Sequence, residues 1–216
     1  MRISHTHKFI FFANPKTGSK SVRDMLDPYS DIRDIDYRDI TDENPFYSHI
    51  RPIEMKEIFE KKGWDYDSYY SFTFIRNPWK RMVSLYQMIN SYKVLKVSFS
   101  RWLKSTAVDG KGGGGKDFQR WRKYGTYSIQ NFAGDGDKLL VNQVIRLEDI
   151  NEEVPKLIKK LNLPIEEDFK IIKSNTRDQR DSKPVKHYTE YYNQELIDLV
   201  AERYKYDIEE FNYSFK

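Results

Sequence analysis

The segment Lys8-Phe-Ile-Phe-Phe-Ala-Asn-Pro-Lys-Thr-Gly-Ser-Lys-Ser-Val-Arg-Asp-Met-Leu26 decides the fold. Its first part, Phe9 to Ala13, is continuously apolar, as in a strand that is buried on both faces of a parallel sheet. Its last part has apolar residues at helical spacing and ends before Pro28, which predicts a short helix that begins near Thr17 to Ser19. The segment therefore predicts a strand, a loop and a helix in that order.

The octet between this strand and this helix, Asn14-Pro-Lys-Thr-Gly-Ser-Lys-Ser21, contains the groups that bind an oxyanion; we call it the anion loop. Gly18 allows the backbone to approach an anion closely, and the amide groups at the start of a helix point toward it. A capped helix with its lysines in solvent is the alternative, because short Gly/Lys/Ser motifs have many chance matches. The residues that can contact the anion are Lys16, Thr17, Gly18, Ser19, Lys20 and Ser21.

The anion loop differs from a Walker A motif. Ala13 replaces the first glycine of that motif, and Ser19 stands where its lysine is expected. The principal lysine, Lys16, precedes the glycine, so it would meet a phosphate chain from a different side.

A second strand-to-helix junction follows in Ser71-Phe-Thr-Phe-Ile-Arg-Asn-Pro-Trp-Lys-Arg-Met-Val-Ser-Leu-Tyr86. Phe72 to Ile75 predicts a strand, and Asn77-Pro78 suits the start of a helix. Arg76 therefore lies at the carboxyl end of a strand, where open α/β sheets bind ligands. Arg76 and Ser84 could hold a second phosphate through a guanidinium fork and a hydroxyl. Alternatively, Arg76 pairs with a carboxylate and Ser84 faces solvent.

Composition narrows the class of protein. A chain of 216 residues with no Gly/Pro-rich divide predicts a single domain over residues 1–216. The net charge of +4 is spread along the chain, which favours a small polyanionic ligand over nucleic acid. The absence of cysteine excludes disulfides and thiolate metal sites. Without an apolar leader or a run of about 18 apolar residues, we expect no membrane span and a cytoplasmic location.

The remaining segments predict further elements of an α/β fold. We expect a short strand near Ile35 to Ile40, a helix over Arg51 to Gly63, a core strand over Leu139 to Leu147 and a helix within Tyr191 to Tyr206. The stretch Lys111-Gly-Gly-Gly-Gly-Lys116 predicts a flexible loop, which is either a linker or a gate for an acceptor.

The two junctions together resemble the sulfotransferases. The anion loop resembles their 5′-phosphosulfate loop, and Arg76 to Tyr86 resembles their 3′-phosphate motif, Arg-x-Pro-x-x-Arg-x-x-Ser-x-Tyr. The segment Tyr191 to Tyr213 is similar to the closing helix of the carbohydrate-type branch. The resemblance spans nearly the whole chain, except from about Lys93 to Asp137. It implies a P-loop-like, three-layer α/β fold whose central, mostly parallel sheet is flanked by helices.

The resemblance also implies a donor and roles for residues. The donor would be 3′-phosphoadenosine 5′-phosphosulfate (PAPS), with 3′,5′-adenosine bisphosphate (PAP) as product and no metal. Lys16 would contact the bridging oxygen, and the rest of the loop, Thr17 to Ser21, would surround the 5′-phosphate. Arg76 and Ser84 would hold the 3′-phosphate. Asn14 departs from the family, where an arginine or a small residue is frequent.

An acceptor hydroxyl needs a base. A histidine at the start of a helix is more often a cap or a surface group, but related sulfotransferases have a histidine at the place of His49, which implies that His49 is the base. His5, His7 and His187 are weaker candidates. The carbohydrate-type branch implies a saccharide acceptor, with a tyrosyl, lipid or small-molecule alcohol as alternatives.

Two other function classes remain open from the sequence. A nucleotide kinase would use a similar loop with MgATP, although the strand Phe72 to Ile75 ends in Arg76 and not in the acidic residue that a magnesium-nucleotide site needs. A non-catalytic anion- or RNA-binding module would keep the basic loops and tolerate the loss of His49.

Overall fold

The structure, a computed structural model, describes residues 1–91, 97–108, 125–165 and 186–216. Its residues form two compact units, and each unit is built from two separate segments of the chain. The first unit comprises Met1–Ile75 and Ala133–Asn175, and the second comprises Arg76–Phe132 and Thr176–Lys216.

The strands of the first unit are short. They are β1 (Arg2–Ser4), β2 (Phe9–Phe12), β3 (Ile32–Arg33), β4 (Tyr70–Ile75), β5 (Gly134–Asp135), β6 (Lys138–Leu139) and β7 (Gln143–Arg146). Among the described residues, five of them form a sheet in the order β3-β1-β2-β4-β7. The strands β2, β4 and β7 are parallel, whereas β1 pairs antiparallel with β2 and β3. The remaining two, β5 and β6, form a hairpin.

The helices include those predicted after the two junctions, over Arg51 to Gly63 and within Tyr191 to Tyr206. They are α1 (Ser19–Leu26), α2 (Pro52–Lys61), α3 (Pro78–Ser91), α4 (Phe99–Lys104), α5 (Ile129–Ala133), α6 (Ile150–Lys160), α7 (Gln194–Arg203) and α8 (Lys205–Glu210). None of the helices in the described ranges combines the length and the apolarity needed to cross a membrane.

The core of the first unit explains why β2 is apolar throughout and why β4 is mostly buried. On one face of the sheet, Phe11 and Phe72 pack in a cluster with apolar residues of α1 and α6. On the other face, the ring of Phe12 lies 6.5 Å from that of Tyr66, which contacts Phe59 of α2. Helices therefore cover both faces of a sheet that is parallel at its centre, and the predicted three-layer α/β class is confirmed.

Two predicted strands are corrected by the structure. The strand expected near Ile35 to Ile40 lies earlier, at β3, because the carboxylate of Asp36 accepts the main-chain N–H of Arg38 and starts a 3-10 turn at Tyr37–Asp39. The strand expected over Leu139 to Leu147 is divided into β6 and β7. Residues 140–142 bend between them, and the side-chain oxygen of Asn142 accepts the main-chain N–H of Ser71 at 2.7 Å. The predicted polyglycine loop, Lys111 to Lys116, lies outside the described residues.

Candidate functional site

The anion loop leaves the amino end of α1 open to an anion. Gly18 is the N-cap residue, so no side chain there accepts the first amide groups of α1, and no acidic residue lies in the first turn. Gly18 has a φ of 77°, and a Cβ added there would lie 2.6 Å from Cδ1 of Leu147. Both the backbone conformation and the close Leu147 side chain therefore favour glycine at this position. The open helix end carries a partial positive charge that favours an anion.

Two buried side chains hold the anion loop in place. The amide of Asn14 donates from Nδ2 to the carbonyl oxygen of Phe74 at 3.2 Å, which links the end of β2 to β4. The hydroxyl of Thr17 donates to the carbonyl oxygen of Asn14 at 2.8 Å. The hydroxyl proton of Thr17 is thus used within the loop, and the group that Thr17 offers to an anion is its main-chain N–H.

The two lysines of the anion loop lie in different surroundings. Lys16 is half-buried and has a φ of 66°, in the left-handed region that residues other than glycine seldom adopt. Lys20 is exposed on α1, and its Nζ lies 2.8 Å from the carboxylate of Asp24. Ser19 is buried and Ser21 half-buried. An exposed ion pair such as that of Lys20 is weak, so a phosphate could replace the carboxylate.

His49 lies directly beside the start of the anion loop. Its Nδ1 is 2.6 Å from the carbonyl oxygen of Ala13. Because a carbonyl oxygen only accepts, Nδ1 carries the proton, and in the neutral ring Nε2 is the acceptor. The ring is buried, with 7% of the residue exposed, and burial lowers the pKa of His49 to about 3. His49 is therefore neutral at physiological pH, as a base must be.

A polar cluster fixes the segment that carries His49. The guanidinium of Arg23, on α1, donates to the carboxylate of Asp34 at 2.9 Å and to the hydroxyl of Ser48 at 3.1 Å. The hydroxyl of Ser48 also donates to Asp34. Burial opposes ionisation of Asp34, but the surrounding positive charges and the Ser48 hydrogen bond outweigh it and lower the pKa to about 2. The cluster links α1, which follows the anion loop, to the residue next to His49.

Sequence reasoning missed this cluster. Arg23 and Asp34 stand in no motif, and Ser48 was not singled out. Charged and polar residues are frequent in these segments, so no local pattern of the sequence selects these three residues as partners.

The other histidines have different neighbours. Nδ1 of His5 lies 2.6 Å from the hydroxyl of Tyr69. His7 packs its ring edge against Tyr29, and His187 is exposed, with Nδ1 2.7 Å from the hydroxyl of Thr189. Among these histidines and His49, only His49 has a hydrogen bond to the residue that precedes the anion loop.

Arg76 and Ser84 belong to the second unit. Arg76 follows β4 directly and is half-buried, as is Ser84 on α3. The predicted cap is confirmed, since the side-chain oxygen of Asn77 accepts the main-chain N–H of Lys80 at 3.2 Å. That Arg76 and Ser84 bind the same ligand as the anion loop stays a prediction.

Arg81, the second arginine of the 3′-phosphate-like motif, has a structural position. It is 1% exposed, and its Nη1 donates to the carbonyl oxygen of Tyr127 at 2.7 Å. Asp207 is also buried and accepts the main-chain N–H of Ile129 at 3.0 Å. Burial raises the pKa of Asp207 to about 6, although the charge of Arg81 opposes the shift. Arg81 therefore lies in the interior of the second unit.

Comparisons with known proteins address the family and the fold. A family model described as the sulfotransferase family matches residues 1–214. A protein of Archaeoglobus fulgidus that is described as uncharacterized is 30% identical over 107 residues, which is 49% of this chain and 78% of that protein. The crystal structure of a sulfotransferase from Alicyclobacillus acidocaldarius is similar in fold, with a TM-score of 0.53, 14% identity and coverage of 96% of both chains.

Proposed function

Because this chain belongs to the sulfotransferase family, we propose that it moves a sulfonate group from PAPS to the hydroxyl of an acceptor and releases PAP. The observation that carries the proposal is the hydrogen bond between His49 and Ala13. It fixes a neutral imidazole beside a loop that is suited to bind an anion. A base and an anion site held together in this way are what transfer to a hydroxyl requires.

The residues of the anion loop fit the phosphate end of this donor. The open amino end of α1 and the close backbone approach at Gly18 suit a 5′-phosphate. Lys16 is proposed to contact the bridging oxygen. Thr17 contributes its main-chain N–H, and the remaining contacts are proposed for Gly18, Ser19, Lys20 and Ser21. Arg76 and Ser84 are proposed to bind the 3′-phosphate.

The chemistry assigned to the chain is one proton transfer and one charge stabilisation. The bound donor supplies the sulfonate and a phosphate leaving group. Nε2 of His49 accepts the proton of the acceptor hydroxyl while the oxygen of that hydroxyl attacks the sulfur atom of the donor. The ammonium of Lys16 and the amides of α1 stabilise the negative charge that develops on the leaving phosphate. We propose that this transfer proceeds without a metal ion.

The type of acceptor and the location of the protein are also proposed. The similarity of Tyr191 to Tyr213 to the closing helix of the carbohydrate-type branch supports a saccharide hydroxyl as the acceptor. We further propose that the chain acts as one functional domain in the cytoplasm.

Ligand-dependent thermal unfolding tests the donor without an acceptor. PAP, 5′-AMP and MgATP are titrated separately against the wild type and Arg76→Ala. A ligand at 100 times its dissociation constant stabilises the native state by about 2.7 kcal/mol. We expect PAP to stabilise the wild type at concentrations where 5′-AMP does not, and this preference to be lost in Arg76→Ala. Arg38→Ala is the control, because Arg38 is exposed and pairs only locally with Asp36.

Each other outcome contradicts the proposal in a definite way. Stabilisation by MgATP alone would indicate a kinase. A shift with every anion that weakens steeply with salt would indicate a non-catalytic anion-binding module. If PAP is preferred, a screen of saccharide, tyrosyl and small alcohol acceptors with PAPS follows.

A further inference from the structure

Within the second unit, the segment Ser214–Lys216 packs against the start of α3. The ring of Phe215 lies 5.8 Å from that of Trp79 and 5.3 Å from that of Tyr192. The main-chain N–H of Lys216 donates to the hydroxyl of Tyr188 at 2.9 Å. These contacts hold the segment beside the residues that directly follow Arg76 in the chain.

Asn77 makes the polar link between this segment and α3. Its Oδ1 accepts the main-chain N–H of Lys80 at 3.2 Å, which caps α3. Its Nδ2 donates to the carbonyl oxygen of Ser214 at 2.9 Å. The residue is 5% exposed, so both hydrogen bonds are sheltered from water. An N-cap needs only an acceptor, which Ser, Thr or Asp supplies equally well, whereas the second bond needs the amide donor that Asn adds.

Trp79 holds the same turn through two further hydrogen bonds. Its indole Nε1 donates to the carbonyl oxygen of Ile197, on α7, at 3.1 Å. Its carbonyl oxygen accepts the hydroxyl of Tyr192 at 2.9 Å. The first turn of α3 is therefore held at residues 77 and 79, one and three positions after Arg76.

We propose that Asn77 is a positioning residue for Arg76, which acts through its hydrogen bond to Ser214. The inference rests on the proposed role of Arg76 in binding the 3′-phosphate of the donor. A guanidinium binds a phosphate well only when its fork is aligned with the oxygens, so the backbone that carries it has to be fixed. The hydrogen bond from Asn77 to Ser214 restrains Asn77, and with it the peptide bond that joins Asn77 to Arg76.

The test compares two substitutions that differ in one hydrogen bond. Asn77→Ser keeps a capping oxygen but cannot reach Ser214, and Asn77→Ala loses both bonds. The matched control is Asn193→Ser, because Asn193 caps α7 by accepting the main-chain N–H of Leu196 at 3.0 Å. Binding of PAP and of 5′-AMP is measured by calorimetry for each folded variant. We expect Asn77→Ser to weaken PAP about tenfold, equivalent to one hydrogen bond between the misplaced guanidinium of Arg76 and the 3′-phosphate, and to leave 5′-AMP within about twofold.

A second background separates positioning from general destabilisation. In Arg76→Ala, adding Asn77→Ser is expected to cause no further loss of PAP affinity, since residues that act through one another are not additive. Unchanged PAP affinity in a folded Asn77→Ser variant would overturn the inference, as would equal weakening of PAP and 5′-AMP or a loss that persists without Arg76. If the wild type itself shows no preference for PAP over 5′-AMP, the donor assignment fails, and the inference fails with it. The wild-type measurement therefore tests the proposed function, and the Asn77→Ser measurement tests the inference.

Discussion

Nδ1 of His49 lies 2.6 Å from the carbonyl oxygen of Ala13, although the two residues are 36 positions apart in the chain. This hydrogen bond sets two properties at once. It fixes the tautomer of the ring, because the carbonyl oxygen can only accept, and it places the ring beside the residue that precedes the anion loop. Burial lowers the pKa of His49, although this hydrogen bond by itself opposes the shift. The first two predictions follow from it.

Replacing His49 should remove transfer without removing donor binding. His49→Gln lacks a group that can take the proton of the acceptor, so we expect the rate of transfer to fall by about 10²–10⁴. The dissociation constant of PAP should stay within about twofold, because the phosphate contacts are unchanged. Steady-state kinetics and PAP calorimetry measure the two effects. His187→Gln is the control, since His187 is exposed and bonded to Thr189. Full turnover in His49→Gln would show that the base lies elsewhere.

The stability of the protein should depend on pH through His49. Burial lowers its pKa from 6.5 to about 3, so between these values the unfolded chain binds a proton that the folded protein does not. The contribution of neutral His49 is therefore complete above pH 6.5 and decreases as the pH falls toward 3. Asp207 acts in the opposite sense, because burial raises its pKa from 3.8 to about 6. Between 3.8 and 6 its folded form gains stability as the pH falls.

A difference between variants isolates the His49 part of this dependence. We compare the free energy of unfolding of His49→Gln with that of the wild type at each pH. The difference should shift in favour of the variant by a few kcal/mol between about pH 7 and about pH 4, since each pKa unit corresponds to about 1.4 kcal/mol. Urea unfolding of both proteins at the two pH values measures this change. A difference in the free energy of unfolding that is the same at both values would mean that the pKa of His49 is not depressed.

Removing the charge of Lys16 should affect chemistry more than stability. Lys16 already has a left-handed backbone, with a φ of 66°, and alanine meets the same backbone cost. We expect Lys16→Ala to lower the rate of transfer by about 10²–10³, as for other losses of charge stabilisation at a leaving group. The midpoint of urea unfolding should change little. Lys159→Ala, at an exposed lysine of α6, is the comparison. Equal activities of these two variants would contradict the role of Lys16.

Gly18→Ala should destabilise the fold more than the same change at Gly63. Both glycines have a positive φ, of 77° and 67°, so both substitutions meet a backbone cost of about 1–2 kcal/mol. Only at Gly18 does the new Cβ meet a neighbour, Leu147, at 2.6 Å, whereas nothing lies within 4 Å at Gly63. Denaturant unfolding gives the difference. Adding Leu147→Ala to Gly18→Ala should recover part of the lost stability. Equal losses in the free energy of unfolding at the two glycines would show that the Leu147 side chain moves away without cost.

The sequence by itself determined the two strand-to-helix junctions and the residues at their ends. The apolar runs of β2 and β4, the helical stripes that follow, and Gly18, Asn77 and Pro78 all act over a few neighbouring residues. Their effects are therefore readable without knowledge of the fold, and the class of fold and the anion loop were predicted from them. The short strand β3 was misplaced because the hydrogen bond of Asp36 to its own turn overrides a weak apolar pattern.

Only the tertiary structure decided which distant groups meet. The bond of His49 to Ala13, the contacts of Arg23 and Asp34 with Ser48, and the bond of Asn77 to Ser214 join positions that no periodicity relates. Buried polar groups must find partners, but the partner that each one finds depends on how the whole chain closes. For that reason the tautomer of His49 and the fixing of the turn after Arg76 were set by the fold and not by local sequence.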